Sequence, residues 1–170
     1  MLSPQMEDAL NQQINAEYYS SYLYLSMSAY FESINLAGCA NWMRIQAEEE
    51  MSHVMKFFHF VAERGGRVKL AAIEGPETDW EGPLAAFEAT LTHEQHVTSL
   101  INRLVDLALA ESDHATNNFL QWFVAEQVEE EASADAVVQQ MRLMKDAPGG
   151  LFMIDRELGQ RVSAAPDAEA

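Results

Sequence analysis

The sequence predicts an all-α protein: a four-helix bundle with one long crossover connection and a short fifth helix at its C-terminal end. The composition favours helix, because Ala, Leu, Glu, Gln and Met are abundant while the 170 residues include only 8 Gly and 5 Pro. Apolar residues recur at alternating spacings of three and four along four long segments. Glycine and proline are concentrated between these segments, where they end helices.

Capping residues and helix breakers set the predicted boundaries. Ser3 is a preferred N-cap and Pro4 is favoured at the first helical position, so the first helix begins there. Gly65 and Gly66 end the second helix, and the run 148–150 ends the fourth. The long helices are predicted at about 4–33, 39–64, 83–111 and 115–146, and the short fifth helix at 151–160.

The connections define the topology. The turns at 35–38 and 112–114 are short, so each joins two antiparallel neighbours. The segment 67–82 lacks helical periodicity and is long enough, if largely extended, to span a helix of about 40 Å. We therefore expect one domain, 1–161, followed by a flexible C-terminal tail, 162–170.

Charge and cysteine content exclude several classes of partner. The formal net charge of −17 argues against binding to nucleic acid or to an anionic membrane, and it suits cations. Cys39 is the single cysteine, so neither an internal disulfide nor a thiolate metal site is expected. The N-terminal segment does not resemble a signal peptide, and no apolar run approaches membrane length. We expect a cytoplasmic protein.

Each predicted helix carries an apolar inward stripe that is interrupted near its middle by a glutamate. In antiparallel helices, Glu17, Glu50, Glu94 and Glu130 would meet within about one turn of a common level. The inward stripes are Leu10, Ile14, Glu17, Ser21, Tyr24 and Phe31; Met43, Ala47, Glu50, Val54, Phe57 and Val61; Phe87, Leu91, Glu94, Thr98, Ile101 and Val105; and Leu120, Phe123, Gln127, Glu130, Ala134, Val137 and Met141.

An internal repeat supports this arrangement. Glu17, Glu50 and His53 are separated by 33 and 3 residues. Two helix pairs with the same polar layout, related by an approximate two-fold axis, would build one shared site. The same spacings recur 77 residues later at Glu94, Gln127 and Glu130.

Four buried carboxylates require compensation. Removing an ionised carboxylate from water costs several kcal/mol, and four of them repel one another unless they are protonated, hydrated or bridged by cations. Two divalent ions would neutralise the four. Oxygen ligands with one imidazole favour iron or manganese, held roughly 3.5–4 Å apart. The alternative is that the helices are wrongly phased and these glutamates lie on the surface.

The acidic runs AEEEMSH and AEQVEEEA contain further candidates. Glu48 is expected to face solvent, whereas Glu49, Glu126 and Glu129 would form a third, less buried cation site or simply a solvated acidic face. Tyr24 lies on the same helix face as Glu17, where it would hydrogen-bond a metal-bound carboxylate, donate an electron, or pack in the core. The remaining histidines, His59, His93, His96 and His114, are expected to be surface or satisfied residues.

The stretches LNQQINAEYYSSYLYLSMSAY, AEEEMSH, THEQH and NNFLQWFVAEQVEEE resemble the non-haem bacterial ferritins, and the resemblance extends from residue 1 to about 161. It implies a ferritin-like bundle with three iron sites and an aromatic pair near the centre. The implied sites are Glu17, Glu50 and His53 for site A; Glu50, Glu94 and Glu130, with Gln127 close by, for site B; and Glu49, Glu126, Glu129 and Glu130 for site C, with Tyr24 and Trp122 as the aromatic pair.

The resemblance also implies a function. A protein of this family oxidises Fe(II) with O2 or H2O2 and stores ferric mineral in a hollow homo-oligomeric shell of 24 subunits. Bacterioferritins carry haem on a methionine, for which Met51 is the candidate here, but Gln127 and Glu130 replace their second Glu-x-x-His pair and no haem is expected. The alternatives are a di-iron oxidase or peroxidase with little storage, and a non-catalytic acidic bundle.

Overall fold

The predicted architecture is confirmed. A computed structural model describes residues 1–163, which form five α-helices. Four are long and pack as a bundle, and the fifth packs against α2 and α4. The helices are α1 (Pro4–Ser33), α2 (Ala37–Glu63), α3 (Pro83–Ala110), α4 (His114–Met144) and α5 (Gly150–Leu158).

The helix starts follow the predicted caps, with one difference. The Ser3 hydroxyl accepts a hydrogen bond from the Met6 amide at 3.0 Å. The second helix begins at Ala37, earlier than predicted, and includes Gly38. Gly38 is not a turn residue: an added Cβ would lie 1.6 Å from the backbone oxygen of Asp155 in α5. Glycine is needed here because two backbones approach closely.

The crossover between α2 and α3 contains no helix and lies along α1. Asn11 joins it at two points: its Nδ2 donates to the Arg67 carbonyl at 3.0 Å, and its Oδ1 accepts from the Lys69 amide at 2.6 Å. These bonds satisfy backbone groups that have no partner in regular secondary structure. Three further side chains of α1 donate to crossover carbonyls: Asn15 to Ala72, Ser26 to Glu77 and Tyr30 to Trp80.

The core consists of two apolar clusters. One includes Met27, Phe31 and Phe87, and the other includes Ile14 and Phe57. On each long helix a polar position separates the residues of the first cluster from those of the second. The main polar layer of the bundle therefore lies at mid-length, between the two apolar clusters.

No helix in the described range 1–163 is long and apolar enough to cross a membrane. The domain boundary at 161 and the flexible tail at 162–170 stay predictions, and residues 164–170 of that tail lie outside the described range.

Candidate metal centre

The polar layer contains the five side chains that the sequence predicted as ligands of the paired metal site. Each comes from the inward face of a long helix and is almost wholly removed from solvent. Their exposed fractions are 1% for Glu17, 2% for Glu50, 2% for His53, 1% for Glu94 and 6% for Glu130. The alternative that these glutamates lie on the surface is therefore wrong.

Glu17, Glu50 and His53 form one half of the centre. Their candidate ligand atoms all lie within 4.8 Å of one another. His53 Nδ1 is 3.2 Å from Glu50 Oε2 and 3.9 Å from Glu17 Oε2. Gln13 donates to Glu17 Oε1 at 2.7 Å, but within residues 1–163 the buried Glu17 Oε2 has no hydrogen-bond partner. A buried carboxylate oxygen without a donor fits a metal ligand whose cation supplies the missing interaction.

Glu94 and Glu130 form the other half. The Tyr24 hydroxyl donates to Glu94 Oε1, and Gln127 Nε2 donates to Glu94 Oε2 at 3.1 Å. Gln46 Nε2 donates to Glu130 Oε2 at 2.7 Å. These neutral donors fix the orientation of each carboxylate and leave lone pairs for a cation.

Burial makes the carboxylates hold protons when no cation is present. Desolvation raises the pKa of Glu17, Glu50 and Glu94 above the ordinary value, and the charges of Glu94 and Glu130 raise that of Glu50 further. Burial, followed by the charge of Glu94, raises the pKa of Glu130 to about 8. Divalent cations would replace these protons.

The metal-free protein is expected to be less stable at pH 8 than at pH 5.5. Carboxyls whose pKa is raised on folding bind more protons in the folded state. For Glu130 this stabilisation is complete below the unfolded value near 4.3 and is lost as pH rises through its folded pKa of about 8. We expect the thermal midpoint to fall by about 5–10 °C over this range.

Calorimetry of the chelator-treated protein measures how the thermal midpoint changes with pH, which is the slope meant here. Zn(II) should flatten it, because the cation stabilises the ionised carboxylates, and Glu130→Gln should flatten it in part without metal. Asp113 has a lowered pKa, through hydrogen bonds from Thr116 and Arg64 that outweigh its desolvation, so its stabilisation is lost only below the range tested. Burial lowers the pKa of His93 to about 4, so its contribution to stability rises with pH up to its unfolded value near 6.5 and opposes the carboxyls in the acidic part of the range. A midpoint that rises steadily from pH 5.5 to 8 would contradict the expectation.

The predicted third cation site, site C, is only partly assembled. Glu126 joins His53 and Glu130 in a second set of candidate ligand atoms within 4.8 Å of one another. Glu49 Oε2 instead accepts a hydrogen bond from Arg161 Nη2 at 2.5 Å. Glu129 is exposed, and its charge and that of Glu49 raise the pKa of Glu126 after the larger effect of burial. The third cation site stays a prediction.

Other predicted residues lie where the helix phases place them. Glu48 is half exposed and pairs with Arg44, as expected for a solvated position. Trp122 is partly exposed, and its ring contacts that of His53 with centroids 5.4 Å apart. His93 Nε2 lies 2.8 Å from the Ser20 hydroxyl, so this histidine is satisfied. The other three histidines outside the centre, His59, His96 and His114, are exposed.

Three residues that hydrogen-bond to the predicted ligands or to their neighbours were not predicted from the sequence: Gln13, Gln46 and Arg161. Gln13 lies four residues before Glu17, a spacing that places two side chains on one helix face, so a search at that offset would have found it. Gln46 has the same offset from Glu50, yet its amide reaches Glu130 on another helix. No sequence signal marks Arg161, because its position depends on how α5 packs.

Four antiparallel helices that converge on buried carboxylates and one imidazole place the chain in the class of four-helix bundles with a buried carboxylate–histidine centre. Comparison with known proteins gives the particular family. A family model described as a ferritin-like domain matches residues 7–144. The chain belongs to the ferritin family, and the predicted resemblance is confirmed.

Curated relatives and solved structures are similar to this chain over nearly its whole length. A bacterial non-heme ferritin from Bacteroides fragilis (strain 638R) is 47% identical over 161 residues, which are 95% of this chain and 100% of the relative. A bacterial non-heme ferritin from Escherichia coli O157:H7 is 37% identical, and the match covers 93% of this chain and 96% of the relative. An engineered closed form of the Archaeoglobus fulgidus ferritin superimposes with a TM-score of 0.95 at 55% identity, covering 96% and 100%. An open pore ferritin from the same organism superimposes with a TM-score of 0.93 at 56% sequence identity, covering 95% of this chain and 98% of that one.

Proposed function

We propose that the centre oxidises Fe(II) to Fe(III) and that the ferric product is stored inside a shell built from copies of this chain. Iron storage is the function of the family to which the chain belongs. The observation that carries the proposal is the buried layer of four carboxylates and one histidine, in which Glu17 Oε2 has no hydrogen-bond partner among the residues that the structure describes.

The donor set fits two iron ions as substrate. Glu17, Glu50 and His53 would hold one ion, and Glu50, Glu94 and Glu130 the other, with Glu50 between them. Two divalent cations neutralise four carboxylates, and hard oxygen ligands stabilise Fe(III) more than Fe(II). Two adjacent Fe(II) ions together supply the two electrons that reduce one O2 to H2O2, or one H2O2 to water.

The neutral side chains of the centre hold its carboxylates in place. Tyr24 and Gln127 each donate to one oxygen of Glu94, so this side chain cannot rotate freely. Gln127 also stands where a second Glu-x-x-His motif would begin, so the second ion has no imidazole. A weaker ligand set favours movement of Fe(III) to a store, and it favours storage over a di-iron oxidase that retains its metal. Because Gln127 and Glu130 replace the second Glu-x-x-His pair that bacterioferritins carry, we expect no haem.

Assembly is supported by the surface of α5. Ile154 and Leu158 are buried against the bundle, whereas Leu151, Phe152 and Met153 are 42%, 70% and 63% exposed. Such an apolar face suits a contact between subunits. We propose a shell of 24 subunits, located in the cytoplasm, whose acidic surface attracts Fe(II).

Aerobic addition of Fe(II), followed by absorbance, tests the proposal. We expect a fast phase that saturates near two iron ions per chain, since the centre holds two. Slower growth to on the order of hundreds of ions per particle should follow, with iron retained through gel filtration. Sedimentation should give a particle of 24 chains of 19.1 kDa. Uptake that stops at about two ions per chain, in a dimer, would favour the oxidase alternative.

A further inference from the structure

Trp122 is an oxidisable side chain that lies between the metal centre and solvent. Its indole ring meets the His53 imidazole at 76°, with the ring centroids 5.4 Å apart. It also meets the Phe123 ring edge-on at 4.8 Å, which fixes the plane of the indole. The residue is 36% exposed, so one ring borders a candidate metal ligand on one side and water on the other. A radical formed on this indole would be within reach of dissolved O2.

A lysine side chain lies over the face of this ring. Lys56 Nζ is 4.4 Å from the Trp122 centroid, within the range of a cation–π interaction. Within residues 1–163 Lys56 forms no ion pair, so the indole is the contact that its charge makes. The same charge reaches Glu126, one turn after Trp122: burial raises the pKa of Glu126, and Lys56 acts to lower it. The ammonium therefore acts on the part of the centre next to His53.

A cation in this position makes the indole harder to oxidise. Loss of an electron creates a positive charge on the ring, and an ammonium at 4.4 Å repels that charge. The attraction between the ammonium and the electron-rich face of the neutral ring is lost at the same time. Lys56 thus favours the reduced form of Trp122.

The proposed centre benefits from this protection because its two halves differ. The half with His53 has an imidazole, whereas Gln127 stands where the other half would have one, so a centre with a single Fe(II) is a recurring state. H2O2 takes up two electrons, and one Fe(II) supplies only one of them. One Fe(II), one H2O2, one proton and one hydrogen atom from a side chain give one Fe(III) and two H2O. Some side chain near the iron must therefore supply the missing electron and proton.

We propose that Lys56 is a positioning residue whose charge keeps Trp122 reduced, so that Tyr24 supplies the missing electron. The inference rests on the proposed function. The Tyr24 phenol is fully buried and has no cation over its ring within the described chain. Its hydroxyl donates to Glu94 Oε1, whereas the indole nitrogen of Trp122 donates to no residue in the range 1–163. The electron is thus taken from a ring that solvent O2 does not reach.

Rapid-freeze electron paramagnetic resonance tests this division between the two rings. The protein is loaded anaerobically with one Fe(II) per chain and mixed with H2O2. The wild-type protein should show a tyrosyl signal and little tryptophanyl signal. In Lys56→Met, which keeps an aliphatic stem and removes the charge, the tryptophanyl signal per Fe(III) formed should rise about tenfold, because the cation–π interaction is lost.

Two variants separate the charge of Lys56 from its packing. Lys56→Arg should restore the wild-type signals, because a guanidinium also stacks on an aromatic face, whereas a purely structural role would not distinguish arginine from methionine. Lys69→Met is the matched charge control, since Lys69 lies on the crossover and pairs with Glu7 at 3.4 Å. It should leave both signals unchanged. Tyr24→Phe should remove the tyrosyl signal.

Peptide mapping by mass spectrometry gives a second readout. After repeated aerobic additions of Fe(II) and H2O2, oxygen-containing products should accumulate at Trp122 about tenfold faster in Lys56→Met than in the wild type, per iron oxidised. Trp80 is the internal control, because it packs against Tyr30 at the first apolar cluster. Its products should form at the same rate in both proteins.

The outcomes separate this inference from the proposed function. A wild-type protein that oxidises Fe(II) with neither O2 nor H2O2 would overturn the proposed function. If it does oxidise Fe(II), an equal tryptophanyl signal per Fe(III) in the wild type and in Lys56→Met would overturn the inference. A tryptophanyl signal that dominates in the wild type would overturn it too, and so would a Lys56→Arg protein that behaves like Lys56→Met.

Discussion

Replacement of His53 by alanine is expected to abolish the fast phase of Fe(II) oxidation while the bundle stays folded. His53 supplies the imidazole in both sets of candidate ligand atoms found among the described residues. Its loss removes a ligand from the Glu17–Glu50 half of the centre. We expect the initial rate at two Fe(II) per chain to fall roughly 100-fold or more, because altering even a group that only supports a ligand costs 10–100-fold.

The matched control is His59→Ala, on the same helix but exposed to solvent. It should oxidise iron at the wild-type rate. The free energy of unfolding of His53→Ala should differ from that of the wild type by no more than about 2 kcal/mol. The packing of a buried ring is lost, but the smaller side chain leaves more room around the buried carboxylates. Stopped-flow absorbance and thermal denaturation measure the two quantities. A fast phase that survives the change would show that these residues are not the oxidation site.

Gly38→Ala is expected to have the largest effect on stability of any single methyl addition to the described chain. The new Cβ would lie 1.6 Å from the Asp155 carbonyl oxygen and 3.0 Å from the Gly159 amide nitrogen, both rigid backbone atoms. Helix α5 must then move away from α2, which exposes Ile154 and Leu158. We expect a loss of about 3 kcal/mol or more and a thermal midpoint lower by about 6–12 °C.

Gly75→Ala provides the matched control, because a Cβ at Gly75 would meet nothing within 4 Å. Its effect should stay within about 0.5 kcal/mol. For Gly38→Ala, a midpoint within about 2 °C of wild type would mean that the two helices can separate at little cost.

Local sequence rules predicted the helices and the buried centre well. Ser3 and Pro4 determine where α1 begins, and a three-four apolar repeat determines which face of each helix is buried. Since one face of each long helix is buried, a glutamate on that face must be buried too. The depth of Glu17 and Glu50 therefore followed from helix phase and turn length alone.

Contacts between distant segments were not predictable in this way. Glycine usually ends a helix, so the sequence predicts Gly38 in a turn, and only the approach of α5 explains its position inside α2. Gln46 was unremarkable as a sequence feature because its partner, Glu130, lies on a different helix. Arg161 lies beyond the last helix, where periodicity carries no information.

The crossover that follows α2 has a practical consequence for protein engineering. Side chains of α1, such as Asn11 and Asn15, anchor its backbone, so its path does not depend on its own outward-facing side chains. The exposed stretch around Gly75 is therefore a suitable insertion point for a foreign peptide, which each copy of the chain would present to antibodies or receptors. In the proposed shell, many copies of such a peptide would be displayed on one particle.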